Sequence, residues 1–181
     1  MPLPFRIIPI NRQEVLRRSA MQNPSPEEQQ LYEEIRKTAE ALLDYKITER
    51  NRPFSILGED PLKETLAGCD AVIIFTARLG EAFREMAEEE GEPETAILRR
   101  GLAAERLEAL VESYLDHKEK MLREAGAILT PHYPYAWEGV EEDAATTTRI
   151  VGINFHPEEG SLSRCRSCFA GNCPARRESP S

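Results

Sequence analysis

The sequence predicts one α/β or α+β domain, in which a single mixed β-sheet is flanked by long helices. The chain has 181 residues, the length of one ordinary domain, and 40% of them are hydrophobic, which is enough for a core. The short apolar run Ala71–Phe75 is typical of a strand that is buried on both faces. Helical and strand patterns alternate around it, so we expect the rest of the chain to pack on this strand.

The N-terminal segment is predicted to be extended and then helical. Phe5–Ile10 is an apolar patch, and Pro9 makes it an edge strand or an extended arm. Asn11 can cap a short helix that runs to Arg17 or Arg18.

A stronger helix start follows at Ser25. Ser25 is a good N-cap and Pro26 suits the first helical position. Apolar residues recur at helical spacing from Leu31 to Tyr45, which predicts a stripe that packs on the core.

The middle of the chain contains four short predicted elements. They are a strand at Arg52–Leu57, a helix at Leu62–Ala67 that ends at Gly68, the central strand Ala71–Phe75 and a helix at Glu81–Glu90.

A long helix is predicted from Pro93 to about Ala125. Gly101 is a place where it can bend or break, because glycine in a helix costs roughly 1 kcal/mol. His117 lies on this helix between charged residues, and we expect it to be exposed.

Two further strands are predicted at Ala127–Thr130 and Arg149–Phe155, and the loop between them is aromatic and then acidic. Loops that carry aromatic side chains are often functional, so Tyr133, Tyr135 and Trp137 are candidate ligand-binding residues. The alternative is that these three side chains plug the end of the core.

Composition excludes some classes of function. Asp and Glu exceed Lys and Arg, 32 to 23, and a net charge of −9 argues against binding to a nucleic-acid backbone. No apolar run approaches the ~20 residues that a membrane-spanning helix needs. The N-terminus lacks the order of a signal peptide, so we expect a cytoplasmic protein without a membrane partner.

The C-terminal residues 161–181 form a cysteine-rich tail that follows the domain at 1–160. Cys165, Cys168 and Cys173 have the spacing C-x2-C-x4-C-P and are surrounded by arginines. In a reducing compartment this spacing favours a metal or an iron–sulfur cluster, with redox-active thiols and incidental cysteines as the alternatives. Spacing does not decide between zinc and iron.

A complete metal site usually needs a fourth ligand. The candidates are Cys69, His156, a water or substrate, and a group from a partner. His156 lies nine residues before the first cysteine of the tail, whereas Cys69 precedes the central strand and is also a plausible buried core residue.

Several segments together resemble the activation domain of cobalamin-dependent methionine synthase and the small stand-alone proteins related to it. Ile10–Arg17 is similar to the opening of that family, and Leu66–Gly80 is similar to its L-x-G-C-x-x-V strand and the turn after it. The helix over 97–122, the strand Val151–Ile153 and the C-x2-C-x4-C tail follow in the order of the family.

The resemblance implies an S-adenosylmethionine-binding domain that docks on a corrinoid protein, so that the oxidised cofactor can be reduced and remethylated. The ligand motif of the family, Arg-x-Ser-Pro-Gly-Tyr-Gly-Asp, corresponds to Thr130–Trp137 here, and Tyr135 stands where the motif has its tyrosine.

Three functional hypotheses remain open. The first is an accessory protein of corrinoid and methyl-transfer metabolism. The second is a metal-binding or electron-transfer module on the same scaffold. The third is a structural subunit, or a homodimer, whose tail is completed by a partner. No nucleophile elbow, phosphate-binding glycine loop or paired-histidine motif occurs, so we expect a helper rather than an independent catalyst.

Overall fold

A computed structural model describes residues 2–135, 140 and 142–157 of the chain. Its helices are α1 (Arg12–Arg18), α2 (Pro26–Leu42), α3 (Leu62–Thr65), α4 (Glu81–Glu88) and α5 (Pro93–Glu124). Its strands are β1 (Lys46–Pro53), β2 (Ala71–Arg78), β3 (Ile128–Leu129), β4 (Tyr133–Pro134) and β5 (Thr146–Asn154). Trp137 and the cysteine tail at 161–181 lie outside the described residues.

The five strands form one sheet in the order β1-β2-β5-β3, with β4 also beside β5. Every strand pair in the described part of the chain is antiparallel. The expectation of a mixed sheet was therefore wrong, whereas a mixed α/β arrangement compatible with the α+β class is confirmed. Two helices, α4 and the much longer α5, connect β2 to the last three strands, and β5 then runs antiparallel to β2.

The sheet separates two apolar clusters of unequal size. Ile73, Phe75 and Ala77 of β2 belong to the larger cluster, to which α1, α2, α4 and α5 contribute. Val72 and Ile74 point the other way, into a smaller cluster made with the segment between β1 and β2. The central strand is thus buried on both faces, as predicted, but these four helices cover only one face of the sheet.

The predicted helix starts are confirmed. The Asn11 side chain accepts a hydrogen bond from the backbone N–H of Glu14, and Ser25 forms a capping box with Glu28. Both signals depend on residues three apart, so the sequence carries them locally.

The structure decides one prediction about a short segment and corrects another. Phe5–Ile10, predicted as an edge strand or an extended arm, belongs to no strand and is an arm. The strand predicted at Arg52–Leu57 lies earlier, at Lys46–Pro53, and Phe54–Leu57 is a 3-10 turn instead. Pro53 ends the strand, and the turn directs Leu57 into the smaller cluster.

Helix α5 is continuous through Gly101, where the sequence allowed a bend or break. A Cβ at this position would overlap Ser19 Oγ and lie 3.0 Å from the carbonyl oxygen of Val15. Gly101 therefore permits close contact between α1 and α5.

The N-terminal arm is fixed to α5 by buried polar groups. Arg106 pairs with Glu105 and donates to the carbonyl oxygen of Ile8 at 2.9 Å. The N–H of Asn11 donates to Glu105 Oε1 at 3.2 Å. His117 is half-buried rather than exposed, because its ring lies 5.4 Å from that of Phe5 on the arm.

Within the residues described, no helix combines the length and the apolar character that a membrane crossing requires.

Candidate functional site

A cluster of charged side chains lies where α5 faces the edge of the sheet at β4 and β5. It consists of Glu108 and Glu112 on α5, His132 just before β4 and Arg149 on β5. The four side chains are between 9% and 13% exposed. Burying charge is costly unless the groups are paired, so this edge cluster is an exception within an otherwise apolar interface.

Two ion pairs organise the edge cluster. Arg149 Nη2 donates to Glu108 Oε1 at 3.0 Å. His132 Nδ1 lies 3.6 Å from Glu112 Oε1, which is an ion pair when the imidazole is protonated. The pairs are adjacent because Glu108 and Glu112 are one helical turn apart on the same face of α5.

In the Glu108–Arg149 pair, each side chain has one buried polar atom that makes no hydrogen bond with the described residues. Glu108 Oε2 and Arg149 Nε are both buried and have no hydrogen-bond partner among the described residues. A buried polar atom without a partner costs roughly 1–3 kcal/mol. The two atoms are a carboxylate acceptor and a guanidinium donor, which are complementary to an ammonium and a carboxylate group respectively.

Strand register explains why Arg149 reaches α5. Arg149 pairs with Phe75 of β2 on one side and with Pro134 of β4 on the other. It shares its face of β5 with Val151 and Ile153, which belong to the larger cluster. An arginine thus occupies a position at which the strand otherwise presents apolar residues to α5.

Sequence analysis did not identify the edge cluster. The signal on α5 was present, because Glu108 and Glu112 are spaced by four within the apolar run from Leu107 to Leu115. Two carboxylates at that spacing on a core-facing stripe already indicate a buried polar site. Nothing local marked His132 or Arg149 as their partners, since the sheet alone brings those residues together.

The two described tyrosines of the aromatic segment next to the cluster pack on one side of the sheet, the side of the smaller cluster and not that of α5. Tyr133 pairs with Ile150 in register, is half-buried and packs against the smaller cluster. Tyr135 is buried and packs in the smaller cluster, and its N–H donates to the carbonyl oxygen of Thr148 at 3.2 Å. Burial raises the pKa of the Tyr135 hydroxyl, the charge of Asp60 raises it further, and Arg50 opposes the shift.

Cys69, a candidate metal ligand, is buried in the smaller cluster as a free thiol. Burial raises the pKa of the thiol, Asp70 adds to the increase, and a hydrogen bond with Thr130 lowers it. A Cβ on Gly152 would overlap Cys69 Sγ, so glycine at 152 makes room for the sulfur. In this arrangement Cys69 is a packed core residue.

His156 is exposed and lies at the end of the sheet where Cys69 is found. Asp70 connects the segment that carries Cys69 to the end of β5 near His156. Its N–H donates to the carbonyl oxygen of Ile153, and its carboxylate accepts from the N–H of Phe155. Cys165, Cys168 and Cys173 are outside the described residues. Within the described ranges, no three His, Cys, Asp or Glu side chains are arranged to hold a metal.

A separate cavity of about 420 Å³ opens between α4, α5 and the segment just before β5, and it shares no lining residue with the edge cluster. It is lined by Ala87, Glu88, Arg100, Ala104, Leu107, Asp143 and Ala144.

Comparison of the chain with protein-family models gives no match, and no curated protein matches its sequence.

Proposed function

We propose that this protein is an accessory protein of corrinoid and methyl-transfer metabolism that binds S-adenosylmethionine at the edge cluster. The observation that carries the proposal is the buried Glu108–Arg149 pair beside the segment at β4. One oxygen and one nitrogen of this pair have no hydrogen-bond partner in the part of the chain that the structure describes. The protein would act in the cytoplasm and assist the reductive reactivation of a corrinoid partner. It would be a helper rather than an independent catalyst.

The charges of the ligand match the groups at this edge. Its amino group can be held by Glu108 and its carboxylate by Arg149, since charge-assisted hydrogen bonds are the stronger ones. Tyr133 and Tyr135 hold the neighbouring segment in place from the other side of the sheet, where both pack on the smaller cluster.

The resemblance to the methionine synthase activation domain supports the same site. The motif of that family carries an arginine and glycines, but the corresponding segment here, Thr130–Trp137, has neither. Arg149 is in register with Pro134 of this segment. In the proposed site it therefore supplies, from β5, the cation that the loop lacks.

Binding of S-adenosylmethionine, measured by isothermal titration calorimetry, tests this proposal. Glu108→Gln keeps the shape of the side chain and removes its charge, and we expect at least a tenfold weaker affinity. The matched control is Glu124→Gln, at the exposed end of the same helix. Wild-type protein that fails to bind, or equal affinities for the two variants, would overturn the assignment of the site.

Docking on a corrinoid protein is tested separately, by pull-down with a purified corrinoid protein in the presence and absence of S-adenosylmethionine. Absence of binding under both conditions would remove the reactivation role.

A metal-binding or electron-transfer module is the second candidate, and its basis is the tail. Cys165, Cys168 and Cys173 would hold an iron–sulfur cluster or zinc, with His156 or Cys69 as the further ligand. His156 supports this because it is exposed where the described chain continues toward the tail. Cys69 would first have to leave the smaller cluster, so His156 is the better candidate.

Metal and acid-labile sulfide content of anaerobically purified protein tests the second candidate. Triple replacement of the tail cysteines by serine should abolish the bound metal, whereas Cys69→Ser should leave it in place. Unchanged metal content in the triple variant would refute the assignment. Size-exclusion chromatography of the same samples reports whether a homodimer or a larger assembly completes the site.

A further inference from the structure

The face of the sheet that points away from α5 carries a row of cations at its β1 edge. Alternate residues of β1 point in opposite directions. Ile47 packs on the larger cluster, and Glu49 accepts hydrogen bonds from Tyr114 and Lys118 of α5. The opposite face of this edge therefore presents Lys46, Arg50 and Arg52 of β1 together with Arg78 of β2. We call these four residues the outer basic face.

The outer basic face is only partly neutralised. Lys46 pairs with Asp44 at 2.7 Å, and Arg78 donates to Thr48 Oγ1 at 3.0 Å. Asp60 and Arg50 act in opposite directions on the pKa of the Tyr135 hydroxyl, which Asp60 raises and Arg50 lowers. Arg50 and Arg52 are exposed and form no ion pair within the described part of the chain.

Two cations of the outer basic face lie next to each other on neighbouring strands. Lys46 lies directly opposite Arg78, and like charges in that position are destabilising. The molecule as a whole carries a net charge of −9, so a row of four cations contrasts with the rest of it. A local excess of positive charge on an acidic molecule indicates a surface that can bind an anionic group.

The same edge also offers backbone hydrogen bonds. β1 is the terminal strand and pairs only with β2 in the described sheet, so half of its N–H and C=O groups face outward. Seven of its eight residues are exposed. An extended peptide can pair with such an edge along its whole length.

We propose that β1 binds an extended acidic segment of a partner protein as an additional strand. Asp or Glu at every second position of that segment would face Arg50 and Arg52, because the repeat along both strands is about 6.8 Å per two residues. This inference goes beyond the proposed function and holds whichever small ligand the edge cluster takes.

Two other occupants fit the surface less well. A second copy of β1 paired about a two-fold axis would bring the four cations of each chain onto the same face, where they repel. A nucleic acid would meet the positive charges but would leave the outward backbone groups of β1 unpaired, and the net charge of the chain opposes it.

Fluorescence anisotropy with three labelled peptides tests the proposal on the full chain without S-adenosylmethionine. The first peptide alternates Glu with Val or Thr over eight residues. The second has the same composition with all glutamates together, and the third is the first with N-methylated amides at alternate positions. We expect the first to bind at least tenfold more tightly than the other two.

Variants locate the binding site. Arg50→Glu combined with Arg52→Glu should weaken binding of the alternating peptide at least tenfold. The matched control, Lys37→Glu combined with Lys120→Glu, changes the net charge equally at exposed positions on α2 and α5 and should bind normally. Circular dichroism checks that both variants fold.

Several outcomes would overturn the proposal. They are no binding of the alternating peptide, equal binding of all three peptides, equal loss in the two double variants, and tighter binding of a single-stranded oligonucleotide than of the alternating peptide. None of them bears on S-adenosylmethionine binding at the edge cluster, so the two proposals fail independently.

Discussion

Cys69 and Gly152 form a contact that allows almost no additional volume. We predict that Gly152→Ala lowers the free energy of unfolding by about 1–3 kcal/mol, because the new Cβ would overlap Cys69 Sγ. Cys69→Ala removes the sulfur, so the same glycine substitution should cost less in that background. Urea denaturation of the four proteins measures the difference, and an equal loss in both backgrounds would contradict this explanation.

Glu14 gives stability a predictable dependence on pH. A hydrogen bond from Arg17 lowers the pKa of its carboxyl from the ordinary 4.5, burial opposes the shift, and the charges of Arg18 and Arg17 add to it. A carboxyl with a lowered pKa in the folded state contributes stability above its unfolded pKa and loses it as the pH falls through the folded value.

We therefore predict that Glu14→Gln is less stable than wild type at pH 7, and that the difference shrinks as the pH is lowered from about 5 toward 3. Urea denaturation across this range measures it. Glu90→Gln, at an exposed position, serves as the control and should follow the wild-type curve. A difference that stays constant with pH would show that packing, and not the charge, is responsible.

The candidate site shows which residues a sequence can reveal. The aromatic segment was recognised from its composition, and Glu108 with Glu112 could have been recognised from their spacing on an apolar helix face. Arg149 was not predictable as their partner. Its contact with Glu108 depends on strand register across β4, β5 and α5, which no local pattern encodes.

At the scale of elements, the crossing of α1 over α5 depends on a missing side chain. We predict that Gly101→Ala destabilises the protein by about 1–3 kcal/mol, although alanine is the better helix former by roughly 1 kcal/mol. The reason is that Ser19 Oγ and the carbonyl of Val15 occupy the space of the new methyl group. Thermal unfolding measures the change.

The control for this prediction is Gly91→Ala, where the nearest atom to an added Cβ is 3.8 Å away, at the end of the Arg99 side chain. It should be close to neutral. A Gly101→Ala variant that is as stable as wild type would mean that α1 moves away from α5 without loss.

Helices and strands were predicted correctly where neighbouring residues in the sequence determine them. The starts of α1 and α2 followed from capping residues, and the central strand followed from its apolar run. The direction of the strands did not follow. An apolar run buried on both faces is typical of parallel sheets, but here the smaller cluster covers the second face of an antiparallel one.

At the scale of the whole molecule, stability should be distributed unevenly across the sheet. β2 lies between β1 and β5 and is buried on both faces, whereas β1 is an exposed terminal strand. We predict that the amide hydrogens of Ile73–Ala77 exchange only on global unfolding, while those of β1 exchange through local opening at lower free energy.

Native-state hydrogen exchange followed by mass spectrometry measures this order. Equal protection of the two strands would indicate that the sheet opens as one unit. Exchange in β1 that slows when the alternating acidic peptide is added would instead locate the peptide on that strand.

The pairing of β2 with β5 also determines when the protein can fold during its synthesis. Residue 71 pairs with residue 153, and both α4 and α5 lie between them along the chain. Contacts so distant in sequence make folding slow, because a large loop must close before they form. The most apolar strand therefore leaves the ribosome long before its second neighbour exists, and during that interval one of its edges is open to aggregation or to a chaperone.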